Sequence, residues 1–250
     1  MALTNEAFEG LMAQGVQLHA ARDYDRALAV RYEAWHLTSG DSLDAGRAAR
    51  DIAATYDRQR SPDDAHHWSH RALNIHNGLL ESVPTVLRER AASAMYVGSV
   101  MLRKAVVDEL GGSQDSNNEE NPRRDITAAR QNAWSYLRSA MKNIELAEKA
   151  ADIPVDQYRV NITGRASMAE SLYGSRTKGL VLGITAVGLA ARSESRANPT
   201  SGPTLSAAER VKAKGKAFQR GVAALGISVL ASPKPNLRRR TALKVAQKAL

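Results

Sequence analysis

Residues 15–34 read GVQLHAARDYDRALAVRYEA, and residues 53–72 read AATYDRQRSPDDAHHWSHRA. Both stretches place alanines at matching points, because the step from Ala27 to Ala65 and the step from Ala34 to Ala72 are each 38 residues. A fixed period of about this length, with small residues where two helices would touch, is typical of tandem helix–turn–helix units. The two stretches therefore predict a fold built from stacked helical hairpins.

Helical periodicity continues along the rest of the chain, and no segment shows the strict alternation of a half-buried strand. Turn residues separate the helical segments, as at Ser61-Pro62-Asp63. We expect helices over residues 5–21, 24–38, 44–59, 64–76, 85–110, 126–150, 155–173, 176–192, 205–231 and 237–250. The predicted fold class is all-α, a superhelix of antiparallel hairpins with a C-terminal helical extension.

Two stretches interrupt the helical pattern. Residues 111–125 contain almost nothing apolar to bury, which predicts a mobile loop. Residues 197–203 are rich in small residues and proline, and they form the best internal boundary. We therefore expect a helical-repeat domain over residues 1–196 and a basic helical extension over residues 204–250.

Composition excludes several classes of protein. The 250 residues include no cysteine, which excludes disulfides, thiolate metal sites and cysteine nucleophiles. The longest apolar run, residues 180–191, is shorter than the roughly 20 residues that a membrane-spanning helix needs. The N-terminus lacks the basic start and apolar run of a secretory signal. We expect a cytoplasmic protein without membrane attachment.

Charge is unevenly distributed along the chain. Residues 1–150 hold 18 basic and 21 acidic residues, a net charge of −3, whereas residues 151–250 hold 17 and 5, a net charge of +12. A basic segment of this kind can neutralise the phosphates of RNA or DNA. The candidate residues are Lys212, Lys214, Lys216, Arg220, Arg238, Arg239, Arg240, Lys244 and Lys248. The alternatives are a helix that caps the repeats and a helix that touches an anionic membrane or an acidic protein.

The small and aromatic residues of the first stretch match a known repeat pattern at Gly15, Leu18, Tyr24, Ala27 and Ala34. In the second stretch Ala53 replaces the glycine, and the other positions are kept at Tyr56, Ala65 and Ala72. The chain therefore resembles a tetratricopeptide-repeat protein, above all over residues 8–76. The resemblance implies a right-handed superhelix whose concave groove, lined by the first helix of each hairpin, binds a peptide or partner protein.

Carrying this register across the hairpins assigns nine residues to the groove: Arg47, Arg50, Asp51, Arg58, Tyr96, Ser99, Arg103, Asn161 and Arg165. Three of them, Arg50, Arg103 and Arg165, can form charge-assisted hydrogen bonds with an acidic peptide or a carboxylate. The alternative is that these arginines are solvated or paired with neighbouring acids. The lysine and asparagine clamp of chaperone-binding relatives is not matched.

Motifs of catalysis and cofactor binding are absent. The chain has no phosphate-binding loop and no glycine fingerprint between a strand and a helix. His66 and His70 have the spacing of two metal ligands on one helix, but only Asp63 is near as a third. We therefore expect a non-catalytic interaction scaffold that binds neither metal nor cofactor. The competing interpretations are a nucleic-acid-associated factor and the ligand-sensing module of a peptide-responsive regulator, and the sequence indicates no oligomeric state.

Overall fold

The computed structural model describes residues 2–80, 82–111, 122–150, 156–193, 222–223, 226–227 and 237–249, and in these ranges it contains helices and no strand. The helices are α1 (Ala2–Ala20), α2 (Tyr24–His36), α3 (Leu43–Arg58), α4 (Pro62–Gly78), α5 (Pro84–Gly111), α6 (Pro122–Ala150), α7 (Asp156–Tyr173), α8 (Arg176–Ser193) and α9 (Leu237–Ala249). Each begins and ends within four residues of its expected position. The all-α fold class is confirmed, whereas the helix expected over residues 205–231 falls largely outside the described residues.

Neighbouring helices pack as hairpins in chain order. The pairs are α1 with α2, α3 with α4, α5 with α6, and α7 with α8, and each hairpin also contacts the next one. The first helices of successive hairpins are neighbours as well, because α3 contacts α5 and α5 contacts α7. This arrangement confirms a stack of helical hairpins with one side lined by first helices. The right-handed sense of the superhelix stays a prediction.

The 38-residue period is visible in the turns as well as in the alanines. Arg22 and Arg60, which lie 38 residues apart, are the non-glycine residues with positive φ in the described part of the chain, at 66° and 64°. Each closes the turn inside a hairpin. The following helix then starts in its own way, since the Asp23 carboxylate accepts a hydrogen bond from the backbone N–H of Arg26 at 3.4 Å, whereas α4 starts with Pro62.

The bounds predicted for the loop over residues 111–125 are wrong, because helices extend into both of its ends. Gly111 ends α5 and Pro122 begins α6, so residues 122–125 are helical. Proline suits the first turn of a helix, because its missing N–H would have no partner there. Residues 112–121 lie outside the described residues, and so does the expected boundary at residues 197–203.

Within the described residues, the core consists of one large cluster and two small ones. The large one joins α5, α6, α7 and α9 through fully buried side chains such as Leu102, Leu137 and Met168. A second cluster joins α1, α2 and α3 through Phe8, Met12, Ala34 and Ala48. None of the helices in the described ranges is long and apolar enough to cross a membrane.

Candidate partner-binding groove

A polar surface lies on the side of the stack where α3, α5 and α7 face one another. Its residues come from the first helices of three successive hairpins, and ion pairs or electrostatic interactions connect them. We call this surface the groove, and its members are Arg50, Asp51, Asp57, Arg58, Arg88, Glu89, Tyr96, Arg103, Tyr158, Asn161 and Arg165.

An ion pair between Arg50 and Glu89 joins α3 to α5. Arg50 Nη1 donates to Glu89 Oε2, Arg50 Nε lies 3.6 Å from Asp51 Oδ1, and Arg88 Nη2 lies 3.1 Å from Glu89 Oε1. Burial opposes the charge on Glu89, but Arg50 and Arg88 outweigh it and lower the pKa of this carboxyl to about 2. Glu89 is therefore ionised at neutral pH, and it holds two arginines in place.

A second ion pair joins the same helices further along. Arg103 Nη1 lies 2.9 Å from Asp57 Oδ1, and the Tyr96 hydroxyl donates to Asp57 Oδ2 at 3.2 Å. Burial raises the pKa of Asp57, although Arg103 and Arg58 oppose that shift. Burial and the Asp57 charge together raise the pKa of Tyr96 well above its usual range. Tyr96 thus keeps its proton and serves as a donor.

The helix α7 completes the groove. Arg165 Nη1 donates to the Asn161 carbonyl at 3.3 Å and lies 3.7 Å from Met95 Sδ. Its charge also lowers the pKa of Asp57, although burial has the larger and opposite effect on that carboxyl. Burial, followed by the charge of Glu89, raises the pKa of Tyr158. The electrostatic network therefore extends over all three helices.

Arg31 supports the groove from behind. This residue belongs to α2 and is only 3% exposed. Its Nη1 donates to the Asp51 carbonyl at 2.6 Å and to Thr55 Oγ1, and it lies 3.3 Å from His19 Nδ1. Burial lowers the pKa of Arg31, and Asp51 opposes that shift. The arginine ties α1 and α2 to the inner part of α3.

Two of the residues assigned to the groove from the sequence do not join the network described above. Arg47 contacts α1, where its Nη1 lies 2.6 Å from Glu9 Oε1 and its guanidinium lies 5.5 Å from the centre of the Phe8 ring. Ser99 is buried, and its hydroxyl donates to the Met95 carbonyl at 2.7 Å. The other expected residues, Arg50, Asp51, Arg58, Tyr96, Arg103, Asn161 and Arg165, belong to the groove as defined above.

Positive charge is in excess around the groove. Three carboxylates face six guanidinium groups there, counting Arg31 behind it: Asp51, Asp57 and Glu89 against Arg31, Arg50, Arg58, Arg88, Arg103 and Arg165. Five of these arginines and all three carboxylates lie within residues 1–150, whose net charge is −3. The fold therefore concentrates cations on one surface of an otherwise acidic region.

Four residues of the groove are not among the nine assigned from the sequence, namely Asp57, Arg88, Glu89 and Tyr158. Arg88 and Glu89 repeat Arg50 and Asp51 after 38 residues, which is the same period that links the alanines. The sequence therefore contained this repeat, but the repeat indicates a shared site only once α3 and α5 are known to be neighbours. Arg31 gave no such signal, because position 69, one period later, is a serine.

The basic C-terminal residues divide into two groups. Lys212, Lys214, Lys216 and Arg220 lie outside the described residues, as does the side chain of Lys248. In α9, Arg238, Arg240 and Lys244 are exposed, whereas Arg239 points inward and pairs with Glu109. Arg239 therefore does not join the other cations on the exposed side of α9.

A concave surface lies beside α4. Its volume is about 660 Å³. It is lined by Asp41 and by six residues of α4, which are His67, His70, Arg71, Asn74, Ile75 and Gly78. The neighbouring rings of His66 and His70 have centroids 4.4 Å apart. Within the described residues, no group of three or more histidine, cysteine, aspartate or glutamate side chains could hold a metal ion.

Comparison with known proteins gives little beyond this geometry. No protein-family model matches the chain, and no curated protein matches it. Among solved structures the chain is similar to "Assembly Chaperone of RpL4 (Acl4) (Residues 1-338)", with 14% identity, a TM-score of 0.32, and coverage of 96% of this chain and 95% of that one. A likeness at this TM-score carries no argument, so the fold assignment rests on the helices and contacts described above.

Proposed function

We propose that this protein is a non-catalytic scaffold of tetratricopeptide-like hairpins that binds an acidic segment of a partner protein in the groove. The observation that carries the proposal is the excess of positive charge at one surface, where the groove holds five guanidinium groups and three carboxylates and Arg31 lies behind it. The 38-residue period shared by Arg22 and Arg60 supports the assignment of the hairpins.

Ion pairs within the groove prepare the arginines for binding. The side chains of Arg50, Arg88 and Arg103 retain 19%, 29% and 18% of their exposure, so part of each remains open to solvent. Their acidic partners fix their positions before a ligand arrives, which reduces the entropy lost on binding. The excess charge attracts carboxylates and excludes basic peptides. An extended acidic peptide is the ligand that these properties suit.

The test measures fluorescence anisotropy with three pools of labelled 12-residue peptides, which are acidic, basic or neutral. We expect the acidic pool to bind most tightly and to weaken as salt is added. The Arg58→Glu, Arg88→Glu double variant should weaken binding of the acidic pool at least about tenfold, or about 1.4 kcal/mol. Neither change removes a fully buried side chain.

The matched control reverses two exposed cations on α6. The Lys142→Glu, Lys149→Glu double variant changes the net charge by the same amount, and we expect its affinity to stay within about twofold of the wild type. Equal losses in both variants would show that only total charge matters. Equal binding of the three pools would also contradict the proposal.

Binding of nucleic acid is the second candidate function. It is favoured by Arg238, Arg240 and Lys244, which are exposed on α9. Labelled RNA or duplex DNA in the same assay distinguishes the two functions. A nucleic acid that uses α9 should be insensitive to Arg58→Glu with Arg88→Glu and should lose affinity in an Arg240→Glu, Lys244→Glu variant.

A further inference from the structure

The two ends of the groove differ in charge. At one end, which we call the balanced end, two arginines lie beside two carboxylates: Arg50, Arg88, Asp51 and Glu89. Their charges cancel, and Arg31 adds one positive charge from behind the groove. The excess of positive charge within the groove itself therefore comes from the other end.

Three arginines act on one carboxylate at that other end. Arg103 Nη1 lies 2.9 Å from Asp57 Oδ1. Burial raises the pKa of Asp57, and the charges of Arg103, Arg58 and Arg165 oppose that shift. We call these three arginines the arginine cluster. Each comes from a different helix, because Arg58 ends α3, Arg103 belongs to α5 and Arg165 belongs to α7. Three positive charges and one negative charge leave a net charge of +2 at this end.

The helix α5 links Arg165 to the same carboxylate. Arg165 Nη1 lies 3.7 Å from Met95 Sδ, and the next residue, Tyr96, donates its hydroxyl to Asp57 Oδ2 at 3.2 Å. The arginine cluster thus gathers charge from three successive hairpins at one point of the groove.

The separation of the two ends makes the arginine cluster a distinct site. Arg50 and Asp57 are seven residues apart on α3, and Glu89 and Tyr96 are seven residues apart on α5. At 1.5 Å per residue, each separation is about 10 Å. The Debye length at physiological ionic strength is about 8 Å, so the charges of the two ends that are open to solvent are largely screened from each other. A ligand at the cluster therefore meets a local charge of +2.

The arginines of the cluster are more accessible than the carboxylate. Arg58 is exposed, and the side chain of Arg103 is 18% exposed, whereas that of Asp57 is 10% exposed. An anion that approaches from solvent meets guanidinium groups before it meets the carboxylate. Asp57 meanwhile holds Arg103 in position before a ligand arrives, which reduces the entropy lost on binding.

A phosphoryl group suits the arginine cluster better than a single carboxylate does. On a serine or threonine side chain it carries a charge of about −1.5 to −2 at pH 7 and offers three acceptor oxygens. The planar fork of a guanidinium group matches phosphate geometry. A carboxylate, or a phosphodiester of nucleic acid, carries one negative charge and leaves half of the excess uncompensated. The local charge is therefore matched by a phosphomonoester.

We propose that the arginine cluster binds the phosphoryl group of a phosphorylated side chain in a partner protein, and that this group fixes the position of the partner's acidic segment in the groove. The inference rests on the proposed function, because residues that flank the phosphorylated one occupy the rest of the groove. The groove continues for about 10 Å from the cluster to the balanced end, which is the length of about three extended residues. A peptide fills this length, whereas inorganic phosphate fills only the cluster.

Fluorescence anisotropy with three pools of labelled 12-residue acidic peptides tests the preference. The pools differ at a fixed central position, which is phosphoserine in the first, glutamate in the second and serine in the third. The second pool carries one more glutamate at its end, so that its total charge matches that of the first. We expect the phosphoserine pool to bind at least about tenfold more tightly than the charge-matched pool. Equal affinity of these two pools, both above that of a basic pool, would overturn this inference and leave the proposed function intact.

Two single variants locate the phosphoryl group. Arg58→Gln removes one charge from the arginine cluster, and Arg88→Gln removes one from the balanced end. We expect Arg58→Gln to reduce the preference for the phosphoserine pool over the charge-matched pool to less than about threefold. Arg88→Gln should weaken both pools alike and keep the preference. Circular dichroism checks that both variants remain folded. An equal loss of preference in the two variants would show that the cluster is not the phosphate site.

Inorganic phosphate distinguishes a phosphorylated protein from a small phosphate compound. Added phosphate should displace the phosphoserine pool only above about 1 mM, because it makes no contact beyond the arginine cluster. Displacement at a concentration near the Kd of the phosphoserine pool would assign the cluster to a small phosphate compound and contradict the peptide as its ligand. Failure of all three acidic pools to bind would contradict the proposed function as well, so the two failures can be told apart.

Discussion

Gly46 shows how one residue without a side chain permits a buried interaction. A Cβ added at this position would lie 2.2 Å from Nε2 of His76, which is fully buried. His76 cannot move away cheaply, because its Nδ1 lies 2.9 Å from Ser93 Oγ. We expect Gly46→Ala to destabilise the fold by about 1–3 kcal/mol, which is typical of overpacking. Urea unfolding followed by circular dichroism measures the loss.

Gly10 provides the matched control for that substitution. It also lies inside a helix, but a Cβ added there would meet nothing within 4 Å. Alanine is the better helix former by about 1 kcal/mol, so Gly10→Ala should be neutral or slightly stabilising. If both substitutions had the same effect, helix propensity rather than the contact with His76 would explain the result.

His76 should also make stability depend on pH. Burial, assisted by Arg50, lowers its pKa to about 4, compared with about 6.5 in an unfolded chain. Between pH 6.5 and pH 4 the unfolded state binds more protons, so the free energy of unfolding falls as the pH falls. The contribution of His76 is complete above pH 6.5, and its loss approaches about 3 kcal/mol at pH 4.

Urea unfolding at several pH values between 4 and 7 measures this slope. His76→Gln removes the titration while keeping a polar group next to Ser93, so its slope should be smaller. Burial also lowers the pKa of His70, and this residue contributes in the same direction. An unchanged slope in His76→Gln would assign the pH dependence to other groups.

At the scale of helices, the sequence predicted positions better than it predicted pairings. Periodicity, turn residues and the 38-residue register located every described helix, because those signals are local. The start of α6 was missed because a polar run obscured the meaning of Pro122, which is a common first residue of a helix.

Most of the features that the sequence did not predict are contacts between helices that lie far apart in the chain. Arg239 was listed among cations available to phosphates, yet it pairs with Glu109, 130 residues earlier in the chain. Arg50 and Arg103 were assigned correctly to first helices, but the identity of Glu89 and Asp57 as their partners depends on how α3 and α5 are placed. Contacts of this range leave no local pattern in one sequence.

At the scale of the whole molecule, the first hairpin is held by a much smaller apolar cluster than α5, α6 and α7 are. The large cluster holds α5, α6 and α7 together, whereas four buried residues form the apolar cluster that joins α1 to α2 and α3. In a stack where each hairpin contacts mainly its neighbours, local stability follows local contacts. Local opening of α1 and α2 should therefore cost less free energy than opening of α5, so the amides of α1 and α2 should exchange with solvent faster.

Phe8→Ala tests this difference, because Phe8 is 2% exposed within the small cluster. The substitution should cost about 3–5 kcal/mol locally and accelerate hydrogen exchange over residues 2–36. Exchange in residues 84–111 should change little, since those amides are protected by the large cluster. The control Leu137→Ala, inside the large cluster, should accelerate exchange in α5, α6 and α7 together. If Phe8→Ala accelerated exchange in α5 as much as in α1, the molecule would unfold as a single cooperative unit.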